Sequence, residues 1–382
     1  MDIENKIFSI KNEEKIDIVE NNIFIKYFDD YNKNSILNFY RNQIDKIDIN
    51  IWKQVRWYIN MYDFIVHDPI INRAFFKYWE IIQEFNIFKN YNINNVILHC
   101  AEAPGGFIQA TNLYIKKNVN NIDSDGYQLI PNHLSYPIYT ISIQEKNSSF
   151  PIYNKKCLKK NVIVTYGKDN TGNINNIDNI YFLQSLIPNK CYLITADGGL
   201  DEGNDYNNKE QLHFYLIINE IYLALINQDK NGYFILKIFD TYTDTNIHII
   251  YMLSFLYKSI NIYKPKTSRP TNSEKYIICN EFTSNQYIID IFINILHSIS
   301  LKLKYNNSLY FTIFKSIPNS FLKQMSDINS FYLQNQCYFL KKSIDLCNNN
   351  DFINNYDYIL KKSFNQRKRV YNNWIEKYKL II

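Results

Sequence analysis

The stretch that most constrains this chain is NNVILHCAEAPGGF, residues 94–107, in which a short apolar run ends in a proline and two adjacent glycines. All nine glycines of the 382-residue chain lie within residues 105–232. The apolar run predicts a buried strand, and Gly105 and Gly106 let the backbone turn sharply before a helix that begins at about residue 107. Such a turn either binds a ligand through its backbone or is only a tight connection, and the stretch alone leaves both open.

Apolar strand-like segments alternate with helical patterns through the middle of the chain. The further strands are predicted at 138–143, 161–166, 191–196, 233–239, 259–264 and 274–282, and the helices at 69–88, 107–117, 209–229 and 243–258. Because these strands are too apolar to expose a face, they predict an α/β fold with a mostly parallel, doubly wound sheet of about seven strands. Ligands in such folds bind beyond the carboxyl ends of the strands, where the turn at 99–107 would lie.

The chain divides into three parts by composition. Residues 1–65 predict an N-terminal extension of helix and short strand, 66–284 the central domain, and 285–382 a helical C-terminal extension without glycine. The first helix of the central domain is expected at about 69–88, with Asp68 as its N-cap and Pro69 at its first position.

Cysteine, histidine and hydropathy patterns exclude several classes of protein. The six cysteines are widely spaced without a CxxC pair, and the six histidines are scattered, so we expect reduced core thiols and no metal site. No segment approaches the run of about 18 apolar residues that a membrane span requires. We expect a cytoplasmic protein, in a host cell or virion if the chain is viral, that is not secreted. The net charge of +5 is compatible with nucleic acid as a partner.

Four ionisable residues stand in or beside apolar segments. Lys237 interrupts a predicted central strand, and an ammonium there must lie at the strand end, reach outward or meet a carboxylate. Asp197 ends an apolar strand before a Gly-Gly turn, where it either faces the ligand crevice or caps the turn. Glu274 opens another strand, as a solubilising charge on an edge strand would. Lys77, with Glu80 and Glu84, falls by periodicity on a helix face typical of solvated residues.

Five separated segments resemble, in order, motifs of the FtsJ-type ribose 2′-O-methyltransferase family, including its cap-specific mRNA members in eukaryotes and large DNA viruses. The segments span about residues 70–282 and read NRAFFKYWEI (72–81), CAEAPGGF (100–107), ADGG (196–199), GYFILKIFD (232–240) and SRPTNSEKYIIC (268–279). The resemblance implies a Rossmann-like, S-adenosylmethionine-dependent methyltransferase with a catalytic Lys-Asp-Lys-Glu tetrad at Lys77, Asp197, Lys237 and Glu274.

The resemblance also implies which residues hold S-adenosylmethionine. Asp197 would lie near the transferred methyl group. Methyltransferases commonly place a carboxylate that holds the cofactor ribose at the end of the strand predicted here at 138–143. Either Gln144 or Glu145 could serve. The stretch 165–180 resembles a loop of the viral and cap-directed branch, in which an acidic residue often stands at the position of Asn173, and Asp169 is close by. The loop residues implied are Cys100, Ala101, Pro104, Gly105, Gly106 and Phe107.

The implied partner is RNA, with the 5′ end of capped mRNA as the first choice and other capping enzymes as candidate partners. The alternatives are a ribosomal or transfer RNA methyltransferase and a non-catalytic RNA-binding subunit of a capping complex. A basic cluster surrounds Tyr371 and Trp374, and such a cluster is either a solvated helix face or a nucleic-acid footprint. The residues expected to contact RNA are Arg269, Lys361, Lys362, Arg367, Lys368 and Arg369.

Methyl transfer to a ribose hydroxyl is an in-line displacement in which one proton must be managed. Lys237 could remove the hydroxyl proton or, as a cation, stabilise the developing alkoxide. Burial and Lys77 would lower the Lys237 pKa, whereas Asp197 and Glu274 would raise it, and the sequence does not decide the net direction.

Overall fold

A large mixed β-sheet forms the centre of the molecule. The computed structural model describes residues 6–10, 22–28, 35–65, 69–92, 94–118, 136–144, 150–200, 206–283, 285–307 and 309–380. Within these, the strands are β1 (Phe8–Ile10), β2 (Ile23–Phe28), β3 (Val96–Cys100), β4 (Ile138–Ile141), β5 (Val162–Thr165), β6 (Cys191–Ala196), β7 (Gln228–Ile238), β8 (Tyr257–Tyr263), β9 (Lys275–Phe282) and β10 (Tyr310–Phe314). Eight of them form the central sheet in the order β1-β8-β9-β7-β6-β3-β4-β5, and β10 pairs with β2 separately.

The direction of the strands places one ligand-binding edge. Strands β5, β4, β3, β6 and β7 are parallel neighbours, whereas β9 is antiparallel to both β7 and β8. The chain order reverses at β3, whose neighbours are β4 and β6, so β3 lies at the switch point where such sheets bind ligands. The predicted α/β fold is therefore confirmed. The eighth strand, β1, comes from the N-terminal segment and pairs antiparallel with β8.

Helices cover both faces of this sheet. They are α1 (Ser35–Ile44), α2 (Ile49–Ile59), α3 (Ala74–Glu84), α4 (Gly106–Asn118), α5 (Ile177–Leu186), α6 (Lys209–Asn227), α7 (Asp244–Leu256), α8 (Gln286–Tyr305), α9 (Asn319–Cys347), α10 (Asn350–Asn354) and α11 (Tyr356–Lys377). Helices α4, α6 and α7 match the sequence predictions closely, and α5 was not predicted. None of these helices is both long enough and apolar enough to cross a membrane.

Helix α3 is shorter than the predicted helix at 69–88. The side chain of Gln109 on α4 accepts a hydrogen bond from the Ile71 amide at 2.9 Å and donates one to the Pro69 carbonyl at 2.9 Å. These bonds hold the segment before α3 in an irregular conformation, and the helix begins at Ala74 instead. The predicted N-cap, Asp68, lies outside the described residues.

The N- and C-terminal parts pack on the core and on each other. The C-terminal part is not wholly helical, because β10 pairs antiparallel with β2 of the N-terminal part. The buried Glu80 carboxylate of α3 accepts hydrogen bonds from Tyr263 at 2.6 Å and from the Trp374 indole of α11 at 3.0 Å. The Trp79 indole in turn donates to the Tyr378 carbonyl at 2.9 Å. The C-terminal helix is thus bonded directly to α3.

Candidate active site

Lys77 and Glu274 form an ion pair beside the carboxyl edge of the sheet. Lys77 lies in the first turn of α3, and Glu274 immediately precedes β9. The Lys77 Nζ lies 2.7 Å from Glu274 Oε1 and 2.9 Å from Oε2, so both carboxylate oxygens contact one ammonium. The two side chains are 16% and 9% exposed, which places the pair at the border between core and solvent.

Lys237 and Asp197 form the second pair at the same edge. Asp197 follows β6, and Lys237 is the penultimate residue of the neighbouring strand β7. The Lys237 Nζ donates to the Asp197 carbonyl at 2.7 Å and lies 3.3 Å from Asp197 Oδ1. The hydroxyl of Tyr276 on β9 donates to the same Oδ1 at 3.0 Å. The ammonium is therefore fixed by its backbone and carboxylate partners at the end of its strand.

Neighbouring carboxyl groups decide the protonation state of Lys237. Burial alone lowers the Lys237 pKa, but attraction by Asp197, Glu274 and Glu220 outweighs it, so the pKa is raised above its ordinary value. Burial likewise raises the Glu274 pKa, but Lys77 and Lys237 overcome this and hold it well below its usual range. The site therefore carries a cationic Lys237 and an ionised Glu274 at neutral pH.

A set of polar groups behind Glu274 fixes its position. The Ser268 hydroxyl donates to Glu274 Oε1 at 2.9 Å, and the Glu274 amide donates to the Asn272 side chain at 3.0 Å. Buried Lys264 donates to the Glu274 carbonyl at 2.9 Å and to the Asn272 carbonyl at 2.5 Å. Desolvation lowers the Lys264 pKa to about 7. These bonds hold the segment before β9 in one conformation and aim Glu274 at Lys77.

The loop after β3 has the sharp turn that its sequence predicts, but its two glycines serve packing. Gly105 has a φ of +110°, and a Cβ there would lie 2.3 Å from the Cys157 sulfur. A Cβ on Gly106 would lie 2.1 Å from the Asn72 side chain and 2.8 Å from the Phe75 amide nitrogen. Gly106 thus lets the start of α4 approach the segment that leads into α3, and a cofactor contact through the backbone of this loop stays a prediction.

The other loop residues predicted to bind the cofactor differ in burial and in backbone conformation. Cys100 is wholly buried, and its carbonyl accepts from the Asp197 amide at 3.2 Å, which ties the loop to the tetrad. Ala101 has a φ of +55°. The buried Phe107 ring stacks on Tyr78 with centroids 4.3 Å apart, so its side chain is occupied by the core. Pro104 is half-buried and follows a cis peptide bond.

Two buried carboxylates beside the tetrad were missed at the sequence level. Glu102 accepts from the Phe107 amide at 2.6 Å through one oxygen, while its Oε2 is buried without a hydrogen-bond partner among the described residues. Burial and then repulsion from Asp197 raise the Glu102 pKa well above its usual value. Glu220 of α6 accepts from the Gly198 amide at 3.1 Å, and burial raises its pKa to about 8. A charged residue inside the otherwise apolar α6 was a signal for Glu220.

Gln144, a candidate for the cofactor ribose, and Asp169, a further candidate for cofactor binding, lie on neighbouring loops. The Gln144 amide donates to the Thr171 carbonyl at 2.7 Å, and the Gln144 side chain is exposed. The exposed Asp169 carboxylate is already bonded within its own loop, to Thr171, Asn176 and Asn179. These bonds, led by the Thr171 amide, lower the Asp169 pKa. A cofactor contact stays a prediction for both residues, and Glu145 lies outside the described part of the chain.

The helix face that periodicity assigned to solvent is largely covered. Glu80 is completely buried and Lys77 only 16% exposed, because α11 and the segment after β8 pack over α3. The solvent assignment is therefore wrong for these two residues, and Glu84 pairs with Lys377 of α11 at 2.8 Å.

The predicted basic cluster divides into exposed and buried members. Lys361, Lys362, Lys368 and Arg369 are exposed on α11, and Arg269 is 37% exposed near the tetrad segment. Arg367 is 1% exposed and donates to the carbonyls of the α2 end, including that of Asn60 at 3.3 Å. The prediction that Arg367 contacts RNA is wrong, because its guanidinium is used to join α11 to α2.

A seven-strand core with one reversed strand, a glycine turn after β3 and charged side chains at its carboxyl edge together define a Rossmann-like α/β fold with a candidate ligand site at that edge. More narrowly, the chain belongs to the FtsJ-like methyltransferase family, whose model matches residues 70–282. All four members of the proposed tetrad lie within this match.

Curated relatives are similar over more of the chain than the family model covers. A zebrafish (Danio rerio) cap-specific mRNA (nucleoside-2′-O-)-methyltransferase 2 is 27% identical over 81% of this chain and 42% of its own length. A probable methyltransferase of African swine fever virus is 26% identical over 81% of this chain and 72% of its own. The chain thus spans about two fifths of the zebrafish relative.

Among solved structures, a Plasmodium falciparum chain described provisionally as a ribosomal RNA methyltransferase has 20% sequence identity. It covers 56% of this chain and 99% of its own, with a TM-score of 0.40.

Proposed function

We propose that this protein is an S-adenosylmethionine-dependent RNA ribose 2′-O-methyltransferase that acts on the 5′ end of capped mRNA. The observation that carries the proposal is the convergence of Lys77, Asp197, Lys237 and Glu274, from four separated segments, into two ion pairs at the switch-point edge of the sheet. Ionisable groups whose pKa values are shifted by burial together with specific charge partners are candidates for a functional site.

The donor chemistry at this edge suits S-adenosylmethionine, which supplies an electrophilic methyl group when bound. The cofactor carries a sulfonium and an ammonium, and the site offers the Asp197 carboxylate together with the carboxyl groups of Glu102 and Glu220, whose raised pKa values a bound cation would lower. The buried, unpartnered Oε2 of Glu102 is an acceptor that a bound cation or donor would satisfy. The loop after β3, with Glu102, and the segment after β6, with Asp197, would hold the cofactor.

Within this proposal the protein positions the ribose hydroxyl and stabilises charge. A raised pKa keeps Lys237 protonated, so its ammonium would donate to the 2′-oxygen and stabilise negative charge there. This favours the second of the two roles considered for Lys237. The methyl group would form its bond to the 2′-oxygen as its bond to the sulfonium sulfur breaks, and the hydroxyl proton would pass to water. Asp197 and Tyr276 fix the ammonium, while Glu274 and Lys77 complete the wall that receives the ribose.

Capped mRNA is preferred as substrate because two sets of relatives point to it. The zebrafish protein and a Dictyostelium discoideum relative, 28% identical over 77% of this chain, are both named cap-specific mRNA methyltransferases. The match to these proteins extends beyond the family domain into its flanks. Flanks that contribute to substrate binding are expected of an enzyme with a specialised RNA substrate.

The test is a labelled-methyl assay with capped mRNA, uncapped mRNA and ribosomal RNA as substrates. Lys237→Met should abolish transfer while leaving the calorimetric affinity for S-adenosylmethionine nearly unchanged. The matched control is Lys230→Met on the same strand, because Lys230 is exposed and remote from the tetrad.

We expect the wild-type protein to transfer methyl groups to capped RNA and the Lys237→Met variant to transfer none. Incorporation only into ribosomal RNA would identify ribosomal RNA as the substrate instead of capped mRNA. No incorporation into any RNA would favour a non-catalytic binding subunit. Turnover of Lys237→Met equal to that of Lys230→Met would refute the role given to Lys237.

A further inference from the structure

A cavity of about 390 Å³ opens beside the segment that carries Glu274, outside the tetrad itself. Its walls come from α1, α2 and α9 of the two flanking parts, from the start of α6, and from residues 269–273. The volume lies within the range of small-molecule sites, about 300–1,000 Å³. Both flanking parts of the chain are therefore needed to form it.

The lining of the cavity combines cations with one large aromatic ring. Arg41, Arg56, Lys209 and Arg269 line it against a single acidic residue, Asp45. Arg41 is neutralised by Asp240, at 2.6 Å. The half-buried ring of Trp52 forms part of the apolar wall contributed by α2. A ring beside guanidinium groups is the combination that binds a nucleotide, because a base stacks on the ring while its phosphate accepts from the cations.

Positive charge is concentrated at the wall nearest the tetrad. Arg73 and Arg269 share one carboxylate, that of Asp63, which contacts Arg73 directly and lies 3.8 Å from the Arg269 Nε. The Arg269 Nε is buried and has no hydrogen-bond partner among the described residues. Burial first, and then the nearby Arg269 and Arg56, lower the Arg73 pKa to about 10. The two guanidinium groups thus share the Asp63 carboxylate and are both attracted by Glu274, and Arg269 is the one that lines the cavity, where its charge can attract an anion.

This wall and the tetrad belong to the same two structural elements. Arg73 lies four residues before Lys77, so the two cations share one side of α3. Arg269, Asn272 and Ser273 lie within five residues of Glu274 in sequence, and Asn272 accepts from the Glu274 amide at 3.0 Å. A nucleotide in the cavity would therefore lie directly beside the ribose site.

We infer that this cavity binds a nucleotide of the RNA that flanks the methylated one, with its base on Trp52 and its phosphate on Arg56 and Arg269. The inference rests on the proposed function, because it takes RNA as the substrate. It also gives the N-terminal helices a role that the sequence did not reveal.

The experiment measures binding of a labelled short single-stranded RNA to the full-length protein by fluorescence anisotropy over a range of salt concentrations. The variants are Trp52→Ala, Arg56→Gln and Arg269→Gln, and the matched control is Lys53→Gln. Lys53 is exposed on α2 and does not line the cavity. Affinity for S-adenosylmethionine and the thermal midpoint are measured for each protein, so that a variant that fails to fold is recognised.

We expect each cavity variant to weaken RNA binding about tenfold, with the control unchanged. The arginine variants should also reduce the slope of log affinity against log salt by about 0.7, whereas Trp52→Ala should not, because only a phosphate contact releases counterions. Loss of folding would not reduce the salt slope of the arginine variants while leaving that of Trp52→Ala unchanged.

Folded variants that bind RNA as tightly as Lys53→Gln would overturn the inference, even if the wild-type protein methylates RNA. A polyglutamate peptide that competes as well as RNA would assign the cavity to acidic peptides and would also overturn it. Absence of methyl transfer by a wild-type protein whose cavity variants still lose RNA affinity would refute the proposed function alone.

Discussion

Two lysine–glutamate pairs at the two ends of β9 have nearly the same length but different surroundings. Lys77 and Glu274 approach to 2.7 Å with side chains 16% and 9% exposed. Lys258 and Glu281 approach to 2.8 Å with side chains 65% and 34% exposed. The same substitution, glutamate to glutamine, can therefore be made at both ends of one strand, and burial is the main difference between the two pairs.

Glu274→Gln should destabilise the protein by about 3 kcal/mol at neutral pH. A full charge pair at this separation attracts by about 6 kcal/mol at an effective dielectric constant of about 20, and removal of one buried partner costs about 3–5 kcal/mol. We take the lower end because Lys77 keeps some contact with water and a glutamine oxygen can still accept from Ser268. Glu281→Gln should leave the urea midpoint unchanged, since solvent screens its pair.

The pH dependence gives a second, independent readout. Because the folded-state pKa of Glu274 lies below its unfolded value of about 4.3, the stabilisation is present above that value and is lost as the pH falls toward the folded-state pKa. The difference in urea midpoint between wild type and Glu274→Gln should therefore be largest at neutral pH and shrink progressively as the pH is lowered below about 5. Equal losses in the Glu274 and Glu281 variants, or a difference that does not shrink in acid, would refute the reasoning.

Four further predictions concern two glycines, a buried acid and a buried arginine. Gly106→Ala should lower stability by about 1–3 kcal/mol, because its Cβ would meet Asn72 and the Phe75 amide. Gly199→Ala, whose Cβ would lie 3.3 Å from the Lys237 Nζ, should lower turnover with little change in melting temperature. Glu220→Gln should raise stability more at pH 9 than at pH 5. The wild-type carboxyl has a folded-state pKa of about 8, so its ionisation at high pH costs the folded wild-type protein stability that the uncharged glutamine does not cost the variant. A gain independent of pH would contradict this. Arg367→Ala should lower the free energy of unfolding, measured by urea titration, by about 2 kcal/mol, and Lys368→Ala should not; comparable effects would return Arg367 to the exposed cluster.

Much of the fold could be predicted from the sequence because the strands and helices depend on local patterns. The apolar strands and the helices between them are continuous segments, and their predicted bounds agree with β6 and α4 to within a residue. Helix α5 was missed because it is short and is preceded by an asparagine-rich loop that resembles an irregular segment. The four tetrad positions came from the family resemblance, since periodicity alone had assigned Lys77 to solvent.

The unpredicted parts of the site depend on contacts between distant residues. Glu80 is buried by Trp374, which lies 294 residues away, and no local pattern carries that information. Arg367 bonds to Asn60 across 307 residues in the same way. The cavity beside Glu274 is assembled from helices near both ends of the described chain, so its lining appears only after folding.

The bonds made by Glu80 determine where this chain can be shortened. A protein ending at residue 284 would lose Trp374 and so remove a donor from a carboxylate that burial already disfavours, on the helix that carries Lys77. It would also lose the Tyr378 carbonyl that receives the Trp79 indole. The smallest fragment that keeps the site intact should therefore retain α11, and limited proteolysis that releases this helix should abolish the proposed methyl transfer without cutting the family domain.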